Sequence, residues 1–155
     1  MEYTSSDGLL GFFDDLVRCE TRLYNALNDR LRERHGIVTS QYEFLRHLRD
    51  HPRSRVGDLA GRFAIGVGAT SKGVDRLESR GWVTREPNPA DRRSSVLVLT
   101  DDGRHLADRA EQTVADGLRE LVAVHLGASA VTAAARSLAR LRAALEADQI
   151  GTPAG

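Results

Sequence analysis

Asp91, Arg92 and Arg93 stand together between Pro87-Asn88-Pro89 and the alternating run Ser95 to Thr100. A guanidinium stays charged at physiological pH and presents a planar fork of donors that suits phosphate and carboxylate oxygens. Two of them at the far end of an extended segment read as an anion-seeking tip, with Asp91 as a partner that orients an arginine fork. A second group lies upstream, where Ala69, Thr70, Ser71, Lys72 and Arg76 place hydroxyls and cations along one helical stretch. Such donors suit phosphates and base edges. The other reactive side chains are sparse. Cys19 is the single cysteine, with Arg18 and Arg22 near it and Glu20 opposing them, so an inert thiol is favoured over a reactive thiolate. His47 and His51 sit four apart on one helical pattern, as two ligands of a shared metal would, but a site needs a third and usually a fourth ligand. No metal and no cofactor is therefore expected. No Ser/His/Asp set, phosphate-cradling glycine loop with its lysine, or paired carboxylates occurs at motif spacing, so an enzyme is not expected.

These groups need elements to hold them. Leu9, Phe13, Leu16, Leu23, Leu27 and Leu31 recur along one side of a long helix that Gly36 is placed to end. Ser40 followed by Glu43 predicts a capping box for a second helix, with Tyr42, Leu45 and Leu48 on its apolar side and Pro52 after it. Two short helical patterns follow, Val56 to Phe63 and Val67 to Arg80, separated by Ala64, Ile65 and Gly66, which is a helix-turn-helix signature. Taking Val67, Val74 and Leu77 as buried leaves Ala69, Lys72 and Arg76 centred on the open face of the second, with Thr70 and Ser71 nearer its edge. Small residues at Gly68, Ala69 and Gly73 would let that helix approach a partner closely. Trp82 to Glu86 and Ser95 to Thr100 then pair as a hairpin with residues 87 to 94 at its tip. Thr100 caps a third long helix whose first turn holds Asp101 and Asp102, and helical pattern continues to about Ala147 with a break near Gly127 and Ala128.

The expected fold is therefore mainly α with a small β-hairpin wing: a winged helix-turn-helix flanked by long N- and C-terminal helices. A helix of this kind enters a major groove, and the hairpin beside it reaches the adjacent backbone and minor groove, where guanidinium groups are favoured. Bulk charge is silent, because the 22 basic and 22 acidic residues of the 155 cancel. Its distribution is not: residues 52 to 100 hold nine basic against five acidic side chains, a basic middle between acidic ends. No apolar run approaches the roughly 20 residues that span a bilayer, and no secretory pattern opens the chain, so no membrane partner and a cytoplasmic location are expected.

The run VGATSKGVDRLESRGWVTREPNPADRRSSVLVLTDDGRHL, from Val67 to Leu106, resembles the winged-helix core of the MarR (multiple antibiotic resistance regulator) family of bacterial transcription factors. Asp75-Arg76-Leu77, Gly81-Trp82-Val83, Pro87-Asn88-Pro89, Asp91-x-Arg93 and Leu99-Thr100 carry the resemblance, and the flanking helices agree in order and length. It implies a homodimer whose terminal helices interlock, residues 1–36 and 101–150 forming the helical dimerisation region. Residues 37–100 would be the DNA-binding winged helix-turn-helix, and residues 151–155 a flexible tail. It also implies double-stranded inverted-repeat operator DNA as the partner, with Arg93 in the minor groove braced by Asp91, Arg92 beside it, and Ser71, Lys72 and Arg76 at the major groove or its phosphates. Members of the family are most often repressors released by a small molecule, aromatic or anionic, held between the dimer helices and the winged helix. Tyr24, His35, Tyr42 and His47 are the candidates to line such a site. A branch of the family senses hydroperoxides through a cysteine near the start of the first helix, which makes Cys19 a redox candidate, although it lies about one turn late for that role. The alternatives are thus a redox-sensing regulator, or a winged helix that binds protein. An acidic or amphiphilic face would mark the latter, against which Lys72, Arg76 and Arg93 argue.

Overall fold

A computed structural model describes residues 5–154. Residues 1–4 of the expected N-terminal region and Gly155 of the expected tail lie outside the described residues. The chain opens with α1 (Ser6–His35), whose first turn is capped by Ser5 Oγ accepting the Gly8 N–H at 3.3 Å. Gly36 ends it at φ 67°, a left-handed conformation that costs glycine little, with its N–H on the Arg32 carbonyl. The second helix, α2, spans Thr39–Asp50. Its start differs from the box expected at Ser40 and Glu43: the Val38 N–H donates to Gln41 Oε1 at 3.0 Å, and the Thr39 N–H to Asn28 Oδ1 of α1 at 2.8 Å. Glu43 is thereby free to turn toward Tyr24, whose hydroxyl donates to it at 3.4 Å.

The helix-turn-helix follows as α3 (Val56–Phe63) and α4 (Val67–Ser79), with Ala64 in the left-handed conformation between them. Asp58 Oδ2 accepts the Arg55 N–H at 2.8 Å and so closes the first turn of α3. Gly81, at φ 77°, turns the chain into β1 (Val83–Pro87), which pairs antiparallel with β2 (Ser95–Leu99) from Val83 opposite Leu99 to Pro87 opposite Ser95. The strand thus starts one residue later than expected and takes in Pro87. The Leu97 N–H also donates to the Ser54 carbonyl at 2.8 Å, which ties the hairpin to the segment before α3.

Thr100 caps α5 (Asp101–Leu118) as expected, its Oγ1 accepting the Gly103 N–H at 3.1 Å. A π-helical turn over Arg119–Ala123 extends α5, and the chain then bends by 109° into α6 (Ala128–Ala147), which Gly127 begins. Among the described residues no single helix is long and apolar enough to cross a bilayer.

One core joins most of these elements. Leu27 and Leu31 of α1, Leu45 and Leu48 of α2, Leu59 of α3, Val74 and Leu77 of α4, Leu97 of β2, and Leu106 and Ala110 of α5 all pack into it. At its rim Arg49 of α2 donates to Asp108 and lies 2.7 Å from Glu111 on α5, fixing the winged helix against that long helix. The apolar stripe on α1 divides in two: its C-terminal end is core, whereas Leu9, Leu10, Phe12, Phe13 and Val17 are exposed. No residue of α6 is buried, and Leu138, Leu141 and Leu145 stand open to solvent along it.

Candidate nucleic-acid interface

The second helix of the helix-turn-helix turns Val74, Leu77 and Thr70 inward. This corrects the expected phase in two places. Val67, taken as buried, is 59% exposed, because it occupies the first position of the helix, beyond the body that would cover it. Thr70, taken as a DNA-contacting residue, is 0% exposed, and its hydroxyl donates to the Gly66 carbonyl at 2.9 Å. A threonine satisfies a buried position when its hydroxyl back-bonds within the helix in this way, so Thr70 shapes the N-terminus of α4 and presents no donor outward. Ala69, Lys72 and Arg76 are exposed and Ser71 is half-buried, so the open face is the expected one. Gly68 is open, but a Cβ on Gly73 would meet the Phe44 ring at 3.0 Å. Gly73 therefore serves close packing on α2 and not an approach from outside.

The wing tip is built from two successive turns. The Asp91 N–H donates to the Asn88 carbonyl and the Ser94 N–H to the Asp91 carbonyl, each at 3.2 Å. Both turns are reinforced by their own side chains, as Asn and Asp do. Asn88 Oδ1 accepts the Ala90 N–H at 3.1 Å, and Asp91 Oδ1 accepts the Arg93 N–H at 3.0 Å. The expected fork between Asp91 and an arginine guanidinium does not form. The carboxylate takes the Arg93 backbone amide instead, so Asp91 holds the turn and leaves both guanidiniums free. Arg92 and Arg93 are exposed.

A groove brings the two groups together. Arg93, Ser94 and Ser95 of the wing and Val67 and Ser71 of α4 line it, with Arg55, Val56 and Gly57 at the start of α3 closing one side. Among the described residues Lys72, Arg76, Arg92 and Arg93 have no carboxylate within ion-pair distance. Arg85, in the same groove, is answered by Asp75 at 2.8 Å and Glu78 at 2.9 Å, and so braces β1 against α4. Sequence reasoning missed Arg55, which lines the groove although its Nε lies 3.7 Å from Asp58. Its only signal was position, immediately before the first helix of the pair, where a cation flanks the groove without belonging to either motif.

Three of the four effector candidates share a second cavity. A cleft of about 610 Å³ runs between α1, α2, the end of α3 and α6, and Tyr24, Tyr42 and His47 line it with Cys19, Glu43 and Arg62. Burial, aided by Glu43, pushes the Tyr24 phenol up to about 12, and burial also raises the Glu43 carboxyl. His47 is held below the ordinary histidine range by burial first and then by His51 and Arg62. The His47 and His51 rings lie with centroids 4.6 Å apart, tilted by 34°, and no group of three metal-ligating side chains occurs among the described residues. His35, the fourth candidate, is not in this cleft. It lies at the end of α1, hydrogen-bonded to Thr113 Oγ1 at 2.7 Å, because its helix position faces α5 and not α2.

Helix, turn, helix and hairpin, with free cations on the open helix face and the wing, define a winged-helix protein. The MarR family model matches residues 37–95. The HTH-type transcriptional repressor MdtR of Bacillus subtilis is 30% identical over 120 residues, covering 76% of this chain and 75% of that protein. The multiple antibiotic resistance protein MarR of Salmonella typhimurium is 26% identical over 125 residues, covering 77% of this chain and 87% of that protein. A MarR family transcriptional regulator from Streptomyces coelicolor, solved in complex with DNA, is similar in structure with a TM-score of 0.80 at 26% identity, covering 94% of this chain and 91% of that one. The chain belongs to the MarR family of DNA-binding transcriptional regulators, which are not enzymes.

Proposed function

We propose that two copies of this chain bind an inverted-repeat operator in the cytoplasm and repress transcription until a small aromatic or anionic molecule releases them. The observation that carries this reading is the groove joining Ser71 of α4 to Arg93 of the wing, with Lys72 and Arg76 unpaired beside it. In it, α4 enters the major groove with Ala69 close to the bases and Ser71, Lys72 and Arg76 supplying donors. Arg93 enters the neighbouring minor groove and Arg92 meets its phosphates, both presented by the turn that Asp91 holds. Residues 37–100 are the DNA-binding part.

Residues 1–36 and 101–150 supply the dimer. Most helical stability in a protein comes from packing an apolar face, and the 20-residue α6 has no residue buried within the chain while Leu138, Leu141 and Leu145 stand open along it. The same holds for Leu9, Phe12 and Phe13 at the far end of α1. A second copy covers both stripes at once, since a twofold axis presents each to its counterpart. The effector acts from the cleft lined by Tyr24, Tyr42 and His47, which lies between the dimer helices and the winged helix. A ligand that fits better when the two α4 helices are wrongly spaced lowers DNA affinity by its own differential affinity.

Selection from a random duplex library tests the reading. The enriched sequence is expected to be an inverted repeat with half-sites about one helical turn apart. An enriched site without twofold symmetry, or no enrichment, would overturn it.

A further inference from the structure

A further pocket, of about 380 Å³, shares no lining residue with the groove or the cleft described above. Arg34 and His35 reach it from the last turn of α1, Trp82 from the segment leaving α4, and Asp102, His105 and Arg109 from α5. The α5 residues fall at spacings of three and four, so one helix face supplies them all. Charge on its walls is one-sided. Among the described residues neither Arg34 nor Arg109 has a carboxylate within ion-pair distance. Both guanidiniums nevertheless crowd His35, which is held below the ordinary histidine range by burial first and then by Arg109 and Arg34. Asp102 and the negative end of α1 oppose them, but Asp102 is one carboxylate against two guanidiniums. Two guanidiniums facing one pocket from two helices, with a single carboxylate on the same wall, leave an excess of positive charge that a bound anion relieves.

We propose that this pocket is a second ligand site, for a phosphate-type dianion, either free phosphate or a small phosphate monoester. Arg34 and Arg109 would grip its oxygens from two elements, with His105 as a further donor and the Trp82 ring as an apolar wall beside them, while His35 stays neutral and keeps its N–H on Thr113. Arg80 already covers Trp82 at 4.3 Å from its centroid, and Arg80 and Gly81 are the only residues between α4 and Trp82. An occupied site therefore clamps the end of α1 to the chain segment that leaves α4. It reaches the DNA-contacting helix by a route independent of the cleft on α2.

Trp82 is the only tryptophan of the chain, so fluorescence excited at the red edge, where the tyrosines do not absorb, reports on the wall of this pocket. Full-length protein is titrated at constant ionic strength with inorganic phosphate, with phenyl phosphate, and with chloride as the control. A saturable Trp82 response to either phosphate and none to chloride is expected, and comparison of the two separates a free anion from a monoester. Arg34→Gln and Arg109→Gln should each weaken the response at least roughly tenfold, as loss of a hydrogen bond to a charged group does. Arg104→Gln removes the same charge from α5 outside the pocket and should leave it unchanged. Circular dichroism shows that each variant is folded, and if Arg109→Gln is not, Arg34→Gln carries the test. No saturable response to either phosphate would overturn the proposal. A response that survives both substitutions, or one elicited only by duplex DNA, would overturn it equally.

Discussion

Individual positions here divide into those that present chemistry and those that shape the backbone presenting it. Arg93 belongs to the first kind and Asp91 to the second, since its carboxylate is spent on the Arg93 amide. Gly103 is of the second kind too. A Cβ there would lie far inside van der Waals contact with the Trp82 carbonyl oxygen, a backbone atom that cannot rotate away. Gly103→Ala is therefore expected to cost about 1–3 kcal/mol, as overpacking does, and a thermal melt measures it. An unchanged midpoint would mean that α5 shifts freely against the hairpin. Gly103 was not legible in the sequence, where it read only as the third residue of a capped helix; the close approach arises between elements distant in the chain. Thr70 escaped for a related reason. Its hydroxyl suggested an outward donor, but a back-bond to Gly66 lets threonine fill a core position that periodicity alone assigned to Val67. The cations on the open face of α4 and the Thr100 cap were legible, because each depends on local spacing and local hydrogen bonding.

Among the elements, α2 links the core, the cleft and α5. Its start was misread because Ser40 and Glu43 match a capping box by type, whereas Gln41 and Asn28 satisfy the amides actually left open. With Glu43 released to the cleft, α2 carries both a carboxyl raised by burial and, one turn on, His47, lowered by burial, His51 and Arg62. The two act in opposite directions on stability. An unfolded histidine takes up a proton as the pH falls through 6.5, while native His47 resists it, so the unfolded state binds more protons and stability falls with pH below 6.5. Glu43 opposes this, since its native carboxyl binds a proton more readily than an unfolded one and so gains stability as the pH falls toward the carboxylate range. The His47 contribution is isolated by comparison with His47→Gln. Melting midpoints taken from pH 7.5 down to 5.5 should fall less steeply in the variant than in the parent. Parallel curves would mean that His47 titrates alike in both states.

For the molecule as a whole, the winged helix was legible because hydrophobic period, turn residues and caps are local signals. The fate of the terminal helices was not. A stripe such as Leu138, Leu141 and Leu145 looks the same in sequence whether it packs within a chain or against another. The structure shows it uncovered within the chain, and a second copy is the covering proposed. Leu141→Glu places a charge in that interface and is expected to raise the dimer dissociation constant on the order of a hundredfold, the loss typical of a buried interface anchor. Sedimentation velocity across a dilution series reads it, with circular dichroism unchanged because Leu141 is not in the core. A wild-type chain that sediments as a monomer at micromolar concentration would contradict the dimer.

DNA recognition through the joined groove of α4 and wing is tested by one titration: the affinity of wild-type protein and of Arg93→Ala for the enriched duplex, measured by fluorescence anisotropy from low to near-physiological salt. Steep salt dependence with two chains per duplex is expected for the wild type. For Arg93→Ala, binding should be weaker and the slope of log K against log salt shallower by about one for each Arg93 guanidinium withdrawn from the DNA. A slope unchanged by Arg93→Ala, or wild-type affinity no better for the enriched duplex than for a scrambled one, would contradict it.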